Sequence, residues 1–202
     1  MAPRARYGTA AALLLALAAL GGCTGWPAGT ETIGVERVVL FEFDDPSEVE
    51  LWQAFGDAAG EPPARLVHRA PGTALFDGTA SAAEGRGPAV IAAPLPAGAL
   101  AGDEGLILRV RGDGRRYILY VTIGPENERY VYQAPFDTRE DRWREVLAPF
   151  VEFEPHRLAE RLPWRRVPAA DITGVGIMVA EPSGGPFELQ IDYIHAYTVP
   201  RF

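Results

Sequence analysis

Phe187-Glu-Leu-Gln-Ile-Asp-Tyr-Ile-His-Ala-Tyr-Thr198 decides the fold class of this chain. Phe187, Leu189, Ile191, Tyr193, His195 and Tyr197 alternate with Glu188, Gln190, Asp192, Ile194, Ala196 and Thr198. An α-helix repeats its faces about every 3.6 residues, so a sustained period of two belongs to a strand and excludes an amphipathic helix. Working outward, Leu106, Leu108 and Val110 share one face of a second strand and Ile107, Arg109 and Arg111 the other, and Tyr117–Ile123 continues after a turn. Further strands are expected at Arg37–Phe43, Arg129–Phe136, Trp143–Phe150 and Ile172–Ala180, with shorter ones near Arg65–Arg69, Ala74–Phe76 and Ala89–Ala93. Ser47 and Glu50 have capping-box spacing, which predicts a short helix through Phe55.

About eight to ten strands joined by Gly/Pro turns, with scarcely any helical signal, predict an all-β domain. A jelly-roll β-sandwich over residues 36–199 fits the irregular loops better than an up-and-down barrel, which needs evenly spaced strands.

The N-terminus predicts where the domain sits. Arg4 and Arg6 precede an apolar run, Ala10–Leu20, which ends in Leu20-Gly-Gly-Cys23 with the single cysteine of the chain. At 1.5 Å per residue the run from Ala10 to Gly22 reaches about 20 Å, too short for a hydrocarbon core of about 30 Å. It has the anatomy of a signal peptide, residues 1–22, and the Leu-Gly-Gly-Cys site resembles the bacterial lipobox, so Cys23 is expected to be the lipidated mature N-terminus. Two or three acyl chains hold a protein on a membrane where one does not, and the partner implied is the bilayer itself. Residues 23–35 then form a tether. Thr24 is not the aspartate that commonly retains lipoproteins at the inner membrane, so the resemblance implies an outer-membrane position facing the periplasm of a bacterial envelope.

Composition removes several function classes. The chain carries −8, and loss of residues 1–22 takes away Arg4 and Arg6 but no acid, leaving −10. All 19 basic residues are arginine, with no basic stripe, which argues against nucleic-acid binding. With Cys23 modified no thiol is left for disulfides, thiolate catalysis or cysteine metal sites. His68, His156 and His195 lack metal-ligand spacing, and Ser81 and Ser183 lack a nucleophile elbow. Glu152 and Glu154 are spaced for one strand face, whereas glycosidase carboxylates face each other across a cleft. The chain therefore reads as non-catalytic, with no cofactor and no metal.

Gly105-Leu-Ile-Leu-Arg-Val-Arg-Gly-Asp-Gly-Arg-Arg-Tyr117 contains Gly112-Asp113-Gly114, which predicts a hairpin, since both glycines accept positive φ and Asp113 can bond nearby amides. That turn accounts for the Arg111-Gly112-Asp113 tripeptide without an adhesion role. No helix follows to make Gly112-x-Gly114 a phosphate loop.

The same stretch, with Tyr132-Gln-Ala-Pro-Phe-Asp-Thr138, Trp143-Arg-Glu-Val146, Pro149-Phe150, Gly176-Ile177 and Gly185-Pro-Phe-Glu-Leu-Gln-Ile-Asp-Tyr-Ile194, resembles the complex I intermediate-associated protein 30 family. The pieces run in family order. The family's Asp-x-x-Met-Gly-Gly-x-Ser segment is replaced by Thr73-Ala-Leu-Phe-Asp-Gly-Thr-Ala-Ser81, and its Gly-Gly-Phe by Gly85-Arg-Gly87. The resemblance implies a galactose-binding-like jelly roll and a protein-binding assembly or scaffolding role; the wider architecture implies, as the alternative, recognition of envelope or extracellular glycan. Arg109, Arg111, Tyr120, Gln133 and Trp143 combine planar donors with aromatic faces, the mixture that sugars require, and are expected to form one polar strip.

Overall fold

The computed structural model describes residues 35–55, 64–80, 88–124, 130–157, 160–163, 165–180 and 184–200. Cys23, the signal peptide, the tether up to residue 34, Ser81 and Ser183 lie outside them. The described strands are β1 (Glu36–Phe41), β2 (Gln53–Phe55), β3 (Ala64–Arg69), β4 (Thr73–Ala80), β5 (Val90–Pro94), β6 (Gly105–Gly112), β7 (Arg116–Ile123), β8 (Tyr130–Asp137), β9 (Trp143–Pro149), β10 (Glu154–Arg157), β11 (Glu160–Arg161), β12 (Ile172–Val179) and β13 (Gly185–Thr198). They form two antiparallel sheets. One has six strands, β3-β4-β13-β6-β9 with β1 also on β13; the other has seven, β11-β10-β8-β7-β12-β5-β2. Leu106, Leu108, Val110, Phe187 and Leu189 from the first sheet meet Tyr117, Leu119, Val121, Val175 and Ile177 from the second in one core. Alternation puts apolar side chains on the two facing surfaces and leaves each sheet an outer face.

The expected hairpin through Gly112 to Gly114 does not form. β6 pairs with β13 and β9, whereas β7 pairs with β8 and β12, so this connection crosses from one sheet to the other. Asp113 fixes the crossing. Its carboxylate accepts from the Arg115 N–H, the Tyr117 hydroxyl and the Glu188 N–H, each at 3.1 Å. The Arg115 guanidinium stands 3.4 Å away and donates to the Gly184 and Pro186 carbonyls of the β13 end. Thr138 completes the corner by donating to the Arg115 carbonyl at 2.8 Å and accepting from the Gly114 N–H at 3.1 Å. Gly114 turns the chain with φ of 87°. Burial pushes the Tyr117 phenol far above its ordinary value and the Asp113 charge adds to this, so the hydroxyl stays a donor.

The alternation of β13 is also broken once. Its register to β6 shifts between Ile191 and Tyr193, a β-bulge at Asp192. Phe187, Leu189 and Ile191 face the core, but beyond the bulge Ile194 and Ala196 do so instead. Tyr193, His195 and Tyr197 are thereby turned to the outer face.

The predicted helix is a 3-10 turn, Pro46–Leu51, capped by Asp45, which accepts from the Ser47 N–H at 2.9 Å. Phe55 lies in β2 instead. Glu48, not Glu50, reaches back, taking the N–H groups of Glu42 and Phe43 at 3.1 and 2.8 Å. Those bonds and a fully buried ring hold Phe43 at φ of 56°, a conformation costly for a bulky residue.

Candidate functional site

Arg109, Arg111 and Trp143 come together on the outer face of the six-stranded sheet. Arg111 lies opposite Trp143 across the β6–β9 ladder, and the Arg109 and Arg111 guanidinium carbons stand 4.9 and 5.7 Å from the indole centroid. Arg109 is also ion-paired with Asp192, the bulge residue of β13. Further along the same face Arg37 of β1 spans to Glu145 of β9 with two bonds of 3.0 and 2.9 Å, and the Tyr193 hydroxyl donates to Glu145 at 2.5 Å. Hydrogen bonding from Arg37 holds the Glu145 carboxyl below its usual range. Tyr193 stacks on His195 with centroids 4.2 Å apart and planes 11° from parallel. Both ring nitrogens of His195 are buried without a hydrogen bond, and Glu42 stands 3.5 Å from Nε2. Burial lowers the His195 pKa against the opposing pull of Glu42, which keeps the imidazole neutral.

Tyr120 and Gln133 lie on the other sheet, so the single strip expected from the sequence divides in two. In register the seven-stranded sheet carries Glu154, Gln133, Tyr120, Gly176, Ala92 and Gln53 as one row on β10, β8, β7, β12, β5 and β2. Five strand spacings make this row about 24 Å long. Tyr120 is only 5% exposed. Its ring lies down on Gly176, where an added Cβ would meet ring and hydroxyl atoms at 2.3–2.5 Å, and its hydroxyl is 3.4 Å from the Ile91 carbonyl. Gly174, also buried, lies one row over with the Thr122 hydroxyl against it. The side-chain amides of Gln133 and Gln53 have no hydrogen-bond partner among the described residues. Glu154 pairs with Arg161 at 2.5 Å. The result is a low lane in which the Tyr120 ring lies flat over the glycine floor, bordered by the Gln133 and Gln53 amides.

Sequence reasoning named Gln133 and Tyr120 but missed the lane. Gly174-Val-Gly176 carried the signal: two glycines at period two stand on one face of a strand. It missed Asp192 and Gln190, which alternation with Leu189 and Ile191 already turns outward, because nothing in β13 shows that β6 lies alongside it.

The other candidates remain apart. His68 Nε2 is 3.0 Å from the Phe43 carbonyl and His156 Nδ1 is 3.0 Å from the Glu154 carbonyl. Glu152 sits in a 3-10 turn and Glu154 in β10, so they do not share a strand. Among the described residues no three His, Cys, Asp or Glu side chains could hold a metal ion, and no helix is long and apolar enough to cross a membrane. A shallow depression of about 390 Å³ beside Gly124, Asp171 and Thr173 offers one carboxylate among backbone and apolar groups.

A family model described as complex I intermediate-associated protein 30 matches residues 41–191. Among solved structures, a family 11 carbohydrate-binding module from Clostridium thermocellum, in complex with a β-1,3-1,4-mixed-linked tetrasaccharide, is 17% identical with a TM-score of 0.58. The match covers 79% of this chain and 94% of that one. The solution structure of a related module gives 18% identity, 85% and 99% coverage and a TM-score of 0.57. An exo-β-agarase matches at 11% identity over 81% of this chain and 25% of its own, with a TM-score of 0.56. At these identities the likeness is one of fold, and it agrees with the expected jelly-roll sandwich.

Proposed function

The chain belongs to the complex I intermediate-associated protein 30 family, and from that premise we propose that it is a non-catalytic binding domain that takes a linear glycan across the outer face of its seven-stranded sheet. The observation that carries this reading is the glycine-floored row. Glycine at 176 lets the Tyr120 ring lie flat on the sheet, which keeps the row low enough for a flat ligand to cross it, and Gln133 and Gln53, four strand spacings or about 19 Å apart, offer amide donors and acceptors to hydroxyls along its length. A glycan lying across strands rather than along them would meet both. The fold is shared with a carbohydrate-binding module solved with a mixed-linkage tetrasaccharide, which supports the ligand class and makes that oligosaccharide the first probe. Binding by the intact chain, measured by titration calorimetry, is expected to weaken in Gln133→Ala and to vanish in Thr122→Trp, which fills the lane. If neutral oligosaccharides, mixed-linkage or agarose-derived, do not bind, or if both variants bind as the parent does, the reading is wrong.

A protein-scaffolding role is the second reading. Leu147 and Val151, 55% and 66% exposed on and just after the edge strand β9, are apolar side chains that a partner could cover. We further propose that the domain, from about residue 36, is tethered by residues 23–35 to a lipid on Cys23 in the bacterial envelope, facing the periplasm.

A further inference from the structure

On the outer face of the six-stranded sheet Arg111 carries a charge that no acid answers among the described residues. Arg109 is balanced by Asp192 and Arg37 by Glu145, but Arg111 has no acidic partner among the described residues. It is half-buried, with its guanidinium held near the Trp143 indole. On its other side, across the β6–β13 ladder, stands Gln190, whose amide is also without a hydrogen-bond partner among the described residues. Glu188, the next outward residue of β13, is exposed and its main-chain N–H is tied to Asp113.

We propose that Arg111, Gln190 and Trp143 form a subsite for the carboxylate of an acidic sugar, a uronic acid residue within a glycan. A guanidinium steadied by an indole loses little freedom on binding, and its planar fork matches a carboxylate with two parallel N–H···O bonds. The Gln190 amide can then donate to and accept from neighbouring hydroxyls. The surroundings favour a sugar over an acidic protein segment. Arg111 is flanked by an amide, the Arg109–Asp192 pair and an indole already engaged by two guanidinium groups, polar neighbours that suit sugar hydroxyls better than an apolar anchor residue. The subsite lies on the opposite sheet from the glycine-floored lane and does not depend on it.

The test is titration of the full chain with trigalacturonate and, in parallel, with neutral galactotriose and a glutamate-rich peptide. Trigalacturonate is expected to bind, to bind less well as salt rises, and to weaken about tenfold or more in Arg111→Gln, with Arg157→Gln, the same loss of charge on the opposite sheet, unchanged. Arg111→Lys keeps the charge but loses the fork, so it should weaken binding several-fold, and it serves as the readout should Arg111→Gln fail to melt like the parent. Absence of trigalacturonate binding, equal binding by both Arg111 variants and the parent, or equal affinity for galactotriose would overturn the proposal. So would tighter, Arg111-dependent capture of the glutamate-rich peptide, which would assign the site to an acidic protein.

Discussion

Replacing Asp113 by alanine should destabilise the whole sandwich, although the residue sits in a loop. Its carboxylate takes three hydrogen bonds, from the Arg115 and Glu188 main chain and from the hydroxyl of the fully buried Tyr117, and faces the Arg115 guanidinium. A hydrogen bond to a charged group contributes about 1.5–3 kcal/mol, which would sum to about 4–9 kcal/mol for three. The Asp113 side chain is 23% exposed, so water can replace part of the loss, and the Tyr117 hydroxyl keeps the Glu188 carbonyl at 3.3 Å. About 3–5 kcal/mol remains after those two discounts. For a domain of this size each kcal/mol moves Tm by about 2–4 °C, so Asp113→Ala should lower Tm by about 6–20 °C in scanning calorimetry. Asp113→Asn, which keeps one acceptor oxygen, should recover roughly half of that. In a double-mutant cycle with Tyr117→Phe the two losses should fall short of additive, since they share a bond. A Tm within about 2 °C of the parent for Asp113→Ala would refute the claim that this corner locks the sheets together.

Three further outcomes are expected. Gly176→Ala puts a methyl into the Tyr120 ring and should cost about 1–3 kcal/mol in urea unfolding, with partial recovery when Tyr120→Ser is added; an unchanged midpoint would mean the ring is free to move. Burial lowers the His195 pKa, so between its depressed folded value and the ordinary value of about 6.5 the unfolded chain binds more protons. Stability conferred by the neutral ring is therefore present above that ordinary value and is lost as pH falls through the folded one; His195→Phe should flatten the urea midpoint between pH 7 and about 5, and an undiminished slope would remove His195 as its source. Cys23→Ala should move the protein into the aqueous phase of a detergent split or leave it as uncleaved precursor; an unmodified Cys23 in the parent, seen by mass spectrometry, would end the lipid-anchor proposal.

The strands were legible because period two survives in the residues themselves. Leu106, Leu108 and Val110 face the core and Arg109 and Arg111 face out, as alternation requires. The sheet to which each strand belongs was not legible. Gly112-Asp113-Gly114 suits a tight hairpin and a sheet-to-sheet crossing equally well, and the deciding partners, Thr138 and Glu188, are far along the chain. A hairpin would set Arg109 beside Tyr120 and Gln133, whereas the crossing puts them on different sheets. In β13 a one-residue bulge reversed the facing of everything after Asp192; Ile194 and Ala196, wholly apolar beside Tyr193, His195 and Tyr197 with their polar tips, held the only local hint. The burial of Tyr120 is not legible in β7, because nothing there reveals that the cross-strand residue on β12 is a glycine over which the ring can lie.

The reach of Arg37 to Glu145 has a mechanical consequence. β1 is the first strand after the proposed tether and pairs with β13 alone, antiparallel, through five register positions. Tension transmitted from upstream would pull β1 lengthwise, loading those rungs in shear together rather than peeling them one at a time. The Arg37 side chain extends from β1 over β13 and β6 to the far edge strand, so part of that load would pass sideways into β9. A domain tugged by its leash would thus spread the force over four strands before any one of them slipped.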